Sequence, residues 1–304
     1  MKTLALVCCC LLASCYGADN NIVQLAEQLG ATTLVSFVKS AGLDGALSGP
    51  GPFTVFGPSN AAFDALPQDV KDELGRNKDL LQKVLKFHVT SGRAYSTDLS
   101  NDMLVQSLDD GLKIRVNIYN RQARSTFGLD QSLRQETVVT VDGAKVIAVD
   151  QNATNGVIHV IDHVMFPLPE EDIPKTVAMT KQLSTLLYAV AQGQLAGPLA
   201  GSGPFTLFAP NNAAFDKLPP GALSDLLSNQ TALVAVLKYH VVVATDYSAG
   251  LSSGRVQTLE GRSVNIVVTN DGVMVDNAKV VMADLPCTNG VIHEIDTVLL
   301  PPKM

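Results

Sequence analysis

From residue 22 onward the apolar positions follow a helical beat. Ile22, Val23, Leu25, Ala26 and Leu29 recur three and four apart, and Leu34, Val35, Phe37 and Val38 extend the pattern. Phe53 to Phe56 is a short apolar run of the kind a buried strand carries, halted by Pro58. Asn60 offers an N-cap for a helix through Ala61, Ala62 and Phe63, since its side-chain oxygen can accept an orphan backbone N–H. Leu80, Leu81, Val84 and Leu85 mark a further helix running into Phe87, His88 and Val89. The period then changes. Ile114 to Ile118, Thr137 to Val141, Lys145 to Val149 and Val157 to Asp162 read as strands, with turns at Asp142-Gly143 and Asn155-Gly156. Helices first and antiparallel strands after make the chain α+β rather than alternating βαβ.

The pattern occurs twice. Gly51-Pro-Phe-Thr-Val-Phe-Gly-Pro-Ser-Asn-Ala-Ala-Phe63 returns as Gly203-Pro-Phe-Thr-Leu-Phe-Ala-Pro-Asn-Asn-Ala-Ala-Phe215, identical at 10 of 13 positions. Thr154-Asn-Gly-Val-Ile-His-Val-Ile-Asp162 returns as Thr288-Asn-Gly-Val-Ile-His-Glu-Ile-Asp296. Two homologous units follow. The first pair is offset by 152 residues and the second by 134, so repeat 1 carries 18 extra residues. They fall around Tyr119 to Glu136, a polar stretch suited to a surface loop or an extended hairpin. Between the repeats Pro167-Leu-Pro-Glu-Glu-Asp-Ile-Pro174 is acidic and Pro-rich, and reads as a stiff linker. The expected domains are 19–168 and 176–304, with the linker at 169–175.

These repeated segments resemble the two signature boxes of the fasciclin domain family. Phe87-His88 and Tyr239-His240 stand at that family's Tyr-His position. The resemblance implies two tandem domains, each a wedge-shaped β-sandwich with helices packed at one side, used in cell adhesion and extracellular matrix. It implies partners among cell-surface receptors of the integrin type and matrix proteins, with self-association as the alternative, and no cofactor. The family's adhesion motif, an Asp followed by an aliphatic residue, maps to Asp150-Gln151 and Asp284-Leu285; Gln151 breaks it in repeat 1. A carboxylate suits an integrin because it can complete the coordination of a divalent metal. Partner contact is therefore expected in repeat 2, at Asp284, Leu285, Tyr239 and His240, with Asp150 the weaker counterpart. The competing reading makes Asp284 a turn residue and the Tyr-His pair a helix-to-strand joint.

Composition narrows the setting. Hydrophobic residues at 46% and charged residues at 17% describe a globular chain. Lys2, the apolar run Leu4 to Leu12 and Cys15-Tyr16-Gly17 read as a secretory signal over residues 1–18. Leu12-Ala-Ser-Cys15 also resembles a bacterial lipobox, a competing lipoprotein reading. The C-terminus lacks the hydrophobic tail of a glycolipid anchor, and no other run is long enough to span a bilayer. Loss of Lys2 leaves 21 cations against 29 acids, a surface that does not attract nucleic acid. A local basic patch from Arg115, Arg121, Arg124 and Arg134 competes with a solvated strand. Only Cys287 survives signal removal, so no intramolecular disulfide forms. It is either a small buried hydrophobe, in a slot where repeat 1 has Ala153, or a reactive or intermolecular thiol.

The chemical motifs are weak. Gly250-Leu-Ser-Ser-Gly254 matches the nucleophile-elbow pattern, but the residues after it read as extended where that motif needs a helix. His159, Asp162 and His163 invite a metal reading, yet repeat 2 has Thr297 where His163 stands. On the strand, Val157, His159 and Ile161 share one face. Glu294 on the other face of repeat 2 marks that face as outward, leaving His159 and His293 as neutral core residues. No enzymatic constellation is shared by both copies. Asn152-Ala-Thr154 and Asn229-Gln-Thr231 are glycosylation sequons.

Overall fold

The computed structural model describes residues 20–109, 111–124, 133–167, 171–269 and 271–302, with side chains omitted at 122–124, 133 and 134. The signal read over residues 1–18 lies outside the described residues. The chain divides into two compact units, residues 1–118 with 138–168 and residues 119–137 with 169–304. This differs from the expected boundaries at 119–137, within the segment that holds the extra residues of repeat 1.

In repeat 1 the helices are α1 (Ile22–Gln28), α2 (Thr32–Ala41), α3 (Asp44–Leu47), α4 (Asn60–Asp64), α5 (Gln68–Arg76) and α6 (Lys78–Phe87). The strands are β1 (Phe53–Pro58), β2 (Val89–Ser91), β3 (Met103–Gln106), β4 (Lys113–Arg124), β5 (Leu133–Val141), β6 (Ala144–Ala153) and β7 (Gly156–Ile161). Repeat 2 repeats the series: α7 (Ile173–Met179), α8 (Ser184–Gln192), α9 (Ala196–Leu199), α10 (Asn212–Asp216), α11 (Ala222–Ser228) and α12 (Gln230–Tyr239). Its strands are β8 (Phe205–Pro210), β9 (Val241–Val242), β10 (Gly254–Gln257), β11 (Ser263–Thr269), β12 (Gly272–Val275), β13 (Ala278–Cys287) and β14 (Gly290–Ile295).

Local chemistry explains the starts. α1 opens on a capping box in which the Asn21 side chain accepts from the Gln24 N–H and Gln24 reaches back to the Asn21 N–H. For α4 the cap is Ser59, not Asn60: the Ser59 hydroxyl accepts from the Ala62 N–H. Asn60 is the first helical residue and faces α2 instead, accepting from the Thr33 N–H and donating to the Gly30 carbonyl. The expected linker also changes. Asp172 caps α7 by accepting from the Lys175 N–H, and Ile173 is fully buried, so the domain begins by Glu171, whose carbonyl accepts from the Thr288 N–H.

The fold is α+β as expected, in a barrel-like form. Each repeat has one seven-stranded sheet, ordered β2-β1-β7-β6-β5-β4-β3 in the first and in the matching order in the second. An isolated bridge from Thr90 in β2 to Ser107 just beyond β3 brings the two edges together. Not every pair is antiparallel. β1 and β7 are parallel, with Phe53 opposite Gly156 and Gly57 opposite Val160. Helices and five strands intervene between them, which supplies the long crossover a parallel pair needs. The 18 extra residues lengthen a hairpin: β4 and β5 run 12 and 9 residues against 7 and 4 for β11 and β12.

The central parallel pair is buried on both faces. Val55 and Ile158 pack against α1, α2 and α6. Phe56 and Ile161 point the other way, into the barrel with Phe87, Ile114, Val116 and Val141. The expectation that Glu294 marks an outward face is therefore overturned. Glu294 is 8% exposed, and one of its carboxylate oxygens accepts from the Asn211 amide at 2.8 Å. The helices cover that face, which periodicity alone does not reveal.

Candidate functional site

The turn before β7 and β14 ties each domain together. Asn155 donates to the Leu47 and Gly49 carbonyls and accepts from the Ile22 N–H, joining α1 and α3 to the sheet. Asn289 makes the same three bonds, to Leu199, Gly201 and Ile173. Gly156 and Gly290 follow because a Cβ there would run into the carbonyl oxygen of Phe53 or Phe205. Sequence reading took Asn155 for a turn residue. Its role as a three-way clamp depends on contacts more than 100 residues away, which no local signal carries.

Asp284 lies in the bulged part of β13, where register shifts separate Val280, Met282 and Leu285. Its backbone is left-handed, with φ 62°, and Asp150 in β6 has φ 58°. Both oxygens of the Asp284 carboxylate accept from Ser248, one from the backbone N–H at 2.7 Å and one from the hydroxyl. Asp150 grips Ser96 in the same way, at 2.7 and 2.5 Å. Each carboxylate thereby caps a short 3-10 turn, Ser96–Asp98 or Ser248–Gly250. The Asp284 N–H donates to His293 Nδ1 at 3.2 Å, and His293 Nε2 donates to the Asp246 carbonyl at 2.8 Å. This pairing fixes the neutral Nε2–H tautomer. His293 is fully buried against Phe208, and burial pushes its pKa down although the nearby Asp284 carboxylate pulls it up. His159 sits in the same arrangement between the Asp150 N–H and the Ala94 carbonyl.

Tyr239 and His240 are each 1% exposed, so neither can form a receptor surface in the folded domain. His240 Nδ1 donates to the Val236 carbonyl at 2.8 Å and Nε2 accepts from the Leu299 N–H at 3.0 Å, fastening the last segment to α12. His88 does the same between Val84 and Met165. Burial lowers the pKa of both histidines to about 4. The Tyr239 hydroxyl lies 2.9 Å from Asp276 Oδ2, and burial first, then that carboxylate, raises its pKa to about 12. Phe87 has no such hydroxyl. Leu285 is half-buried and packs against the helix-side core. The surface beside Asp284 is formed instead by Val281 and Met282, 51% and 52% exposed, with Ile147 and Val149 exposed on β6. The bulges turn these aliphatic side chains outward, and strand alternation alone did not single them out.

The other candidates separate. Asp162 accepts from the Lys145 N–H and from the exposed His163, while His159 is buried with both ring nitrogens engaged, so the three do not converge on a metal. Gly250 ends a 3-10 turn and Gly254 opens β10, which is not the strand-turn-helix of a nucleophile elbow. Arg115 is buried and paired with Asp102, and Arg121 pairs with Glu136, so these two form no open basic patch. The side chains of Arg124 and Arg134 lie outside the described residues. Cys287 is buried, 5% exposed, with Sγ 3.4 Å from the Thr176 hydroxyl. Asn152 and Asn229 are exposed; Asn229 caps α12. Among the described residues no helix is long and apolar enough to cross a membrane.

Comparison with known proteins places these observations. The fasciclin domain family model matches twice, over residues 29–167 and 181–301. Human periostin is 35% identical over 276 residues, covering 90% of this chain and 31% of periostin. The pig transforming growth factor-beta-induced protein ig-h3 is 30% identical over 286 residues, covering 93% of this chain and 40% of that protein. The chain thus spans about a third of the length of these relatives. A solved FAS1 domain pair from the insect cell adhesion molecule fasciclin I aligns over 90% of this chain and 98% of its own, at 20% identity and a TM-score of 0.44.

Proposed function

The chain belongs to the fasciclin domain family, and on that premise we propose that it is a secreted, non-enzymatic adhesion protein binding cell-surface receptors or matrix proteins. The observation that carries the reading is a repetition within a repetition. The chain duplicates one adhesion-family domain, and both copies leave aliphatic side chains exposed on the same bulged strand, at Ile147 and Val149 in one and Val281 and Met282 in the other. In this reading the ridge makes the contact. Asp284, whose carboxylate holds Ser248, has a structural role rather than bridging an integrin metal. Tyr239 and His240 act through the core. Glycans on Asn152 and Asn229 fit an extracellular setting, since both side chains are exposed.

The test is attachment of cells to the immobilised full chain. Met282→Lys and Val281→Lys, which place a charge on an exposed apolar ridge, should reduce attachment at least several-fold, while Asp284→Asn should leave it largely intact once folding is verified. Attachment that survives both lysine variants but is lost with Asp284→Asn or EDTA would restore the metal-bridged contact and remove the ridge.

A further inference from the structure

Repeat 1 holds an apolar cavity of about 140 Å³ at the turn between α1 and α2, above the parallel β1–β7 pair. Its walls are Ala26, Leu29, Ala31, Leu34, Ile158 and Val160. The polar groups at its mouth are already engaged, the Asn60 amide with Gly30 and Thr33 and the Ser59 oxygen with the Ala62 N–H. A void of about 20 Å³, room for one water, lies behind it and shares Ala26, Leu34 and Ile158 with it. The void is lined by aliphatic groups and His88, whose ring nitrogens are both bonded elsewhere, so a water there would lack partners.

Repeat 2 carries larger or polar residues at the same place. The strand register sets Gly57 opposite Val160 in repeat 1 and Ala209 opposite Glu294 in repeat 2. Ala31, the residue before α2, corresponds to Leu183 before α8, which is 1% exposed. Ser59 corresponds to Asn211, which bonds the buried Glu294. A Cβ on Gly57 would come within 3.2 Å of Leu34 and 3.4 Å of Ile158, so glycine there keeps the floor low. Four positions are thus smaller or apolar in repeat 1 where repeat 2 is larger or polar, and all four border one cavity.

We propose that this cavity in repeat 1 is a binding site for a short apolar group, an alkyl chain end or a phenyl ring, whose polar part stays in solvent beside Leu29 and Asn60. Its size matches apolar protein cavities of about 150 Å³ that take up benzene, and its lining offers nothing to a buried charge. Leu29, a large aliphatic residue 39% exposed at the rim, would be covered by such a guest.

The test is methyl NMR of the full chain titrated with benzene and with sodium hexanoate. Saturating shifts are expected at Leu34, Ile158 and Val160, with none at their repeat 2 counterparts Leu186 and Ile292. Ala31→Leu, which installs repeat 2's own residue, should weaken binding at least tenfold. The double variant Val160→Glu/Ser59→Asn should do the same by a different route, should Ala31→Leu fail to fold. Phosphatidylcholine vesicles at matched acyl concentration distinguish the source: the same methyls broadening with vesicles identifies a bilayer chain, and shifts with hexanoate alone identify a soluble ligand. Absence of saturating shifts with both small probes, equal shifts in both repeats, or unchanged binding in the folded variants would overturn the proposal.

Discussion

Acid should unfold repeat 2 through His240, and the size of the effect can be worked out. The ring is 1% exposed, with Nδ1 donating to the Val236 carbonyl and Nε2 accepting from the Leu299 N–H. Protonating Nε2 in place removes that acceptor and buries a charge, so burial holds the folded pKa near 4, against 6.5 for the free side chain. The folded value is depressed, so the unfolded state binds the extra proton first. Stability is therefore complete above about pH 6.5 and falls as the pH drops toward 4, by about 1.4 kcal/mol per pH unit for each such histidine. For His240 this amounts to about 3 kcal/mol, a large share of an ordinary domain's stability. His293, lowered in the same direction, steepens the limb. Urea titrations of the full chain at pH 7, 6, 5 and 4.5 measure it, with His240→Gln as the control that is weaker at pH 7 but less steep below it. A midpoint unchanged between pH 7 and 4.5, or a slope identical in His240→Gln, would refute the reasoning.

Three further outcomes are expected. Phe215→Ala should destabilise repeat 2 by roughly 3–5 kcal/mol in denaturant titration, because the ring is 6% exposed within the helix-side core. Asp284→Asn should cost about 1–3 kcal/mol, since one of the two charge-assisted bonds to Ser248 loses its acceptor; a loss under about 0.5 kcal/mol would show the clamp to be idle. A fragment starting at Lys175 should be markedly less stable than one starting at Glu171, for it lacks the Asp172 cap and the buried Ile173, together worth about 2–4 kcal/mol; equal melting of the two fragments would show that α7 is dispensable.

The elements were legible where short-range pattern decides them. The helical beat from Ile22, the apolar run at Phe53 and the later strands all appear in the fold at nearly those positions, and the 18-residue difference between the two repeat offsets located the longer β4 and β5. What stayed hidden depends on distant partners. Ser59 and Asn60 are both good caps by type, and only the approach of α2 assigns Asn60 to Thr33 and leaves the cap to Ser59. Glu294 reads as a surface residue until Asn211, 83 residues earlier, is seen to bond it. The bonding of the adhesion-motif Asp was hidden for a related reason. An Asp before an aliphatic residue reads the same whether its carboxylate faces solvent or grips a serine 36 residues away. The Asp-as-turn-residue alternative was nearer to the geometry, though the carboxylate holds a remote 3-10 turn rather than its own.

The duplication itself sorts structural from functional residues. Asp150 with Ser96 and Asp284 with Ser248, His88 and His240, and Asn155 and Asn289 make matching bonds in both copies. Interactions kept while the surrounding sequence has drifted are what the domain needs in order to fold, so variants there should damage either repeat alike. Positions that differ are free of that requirement. Ala31 against Leu183, Gly57 against Ala209, Ser59 against Asn211 and Val160 against Glu294 change volume and polarity without altering the strand register. These four border one opening beneath α1 and α2. Underpacking an apolar site has a stability cost that grows with the volume left empty, so each small residue there weakens repeat 1 unless something occupies the space. Exchanging the four residues between repeats therefore makes opposite demands. Filling repeat 1 should raise its stability and remove the guest, while emptying repeat 2 should lower its stability and create a site.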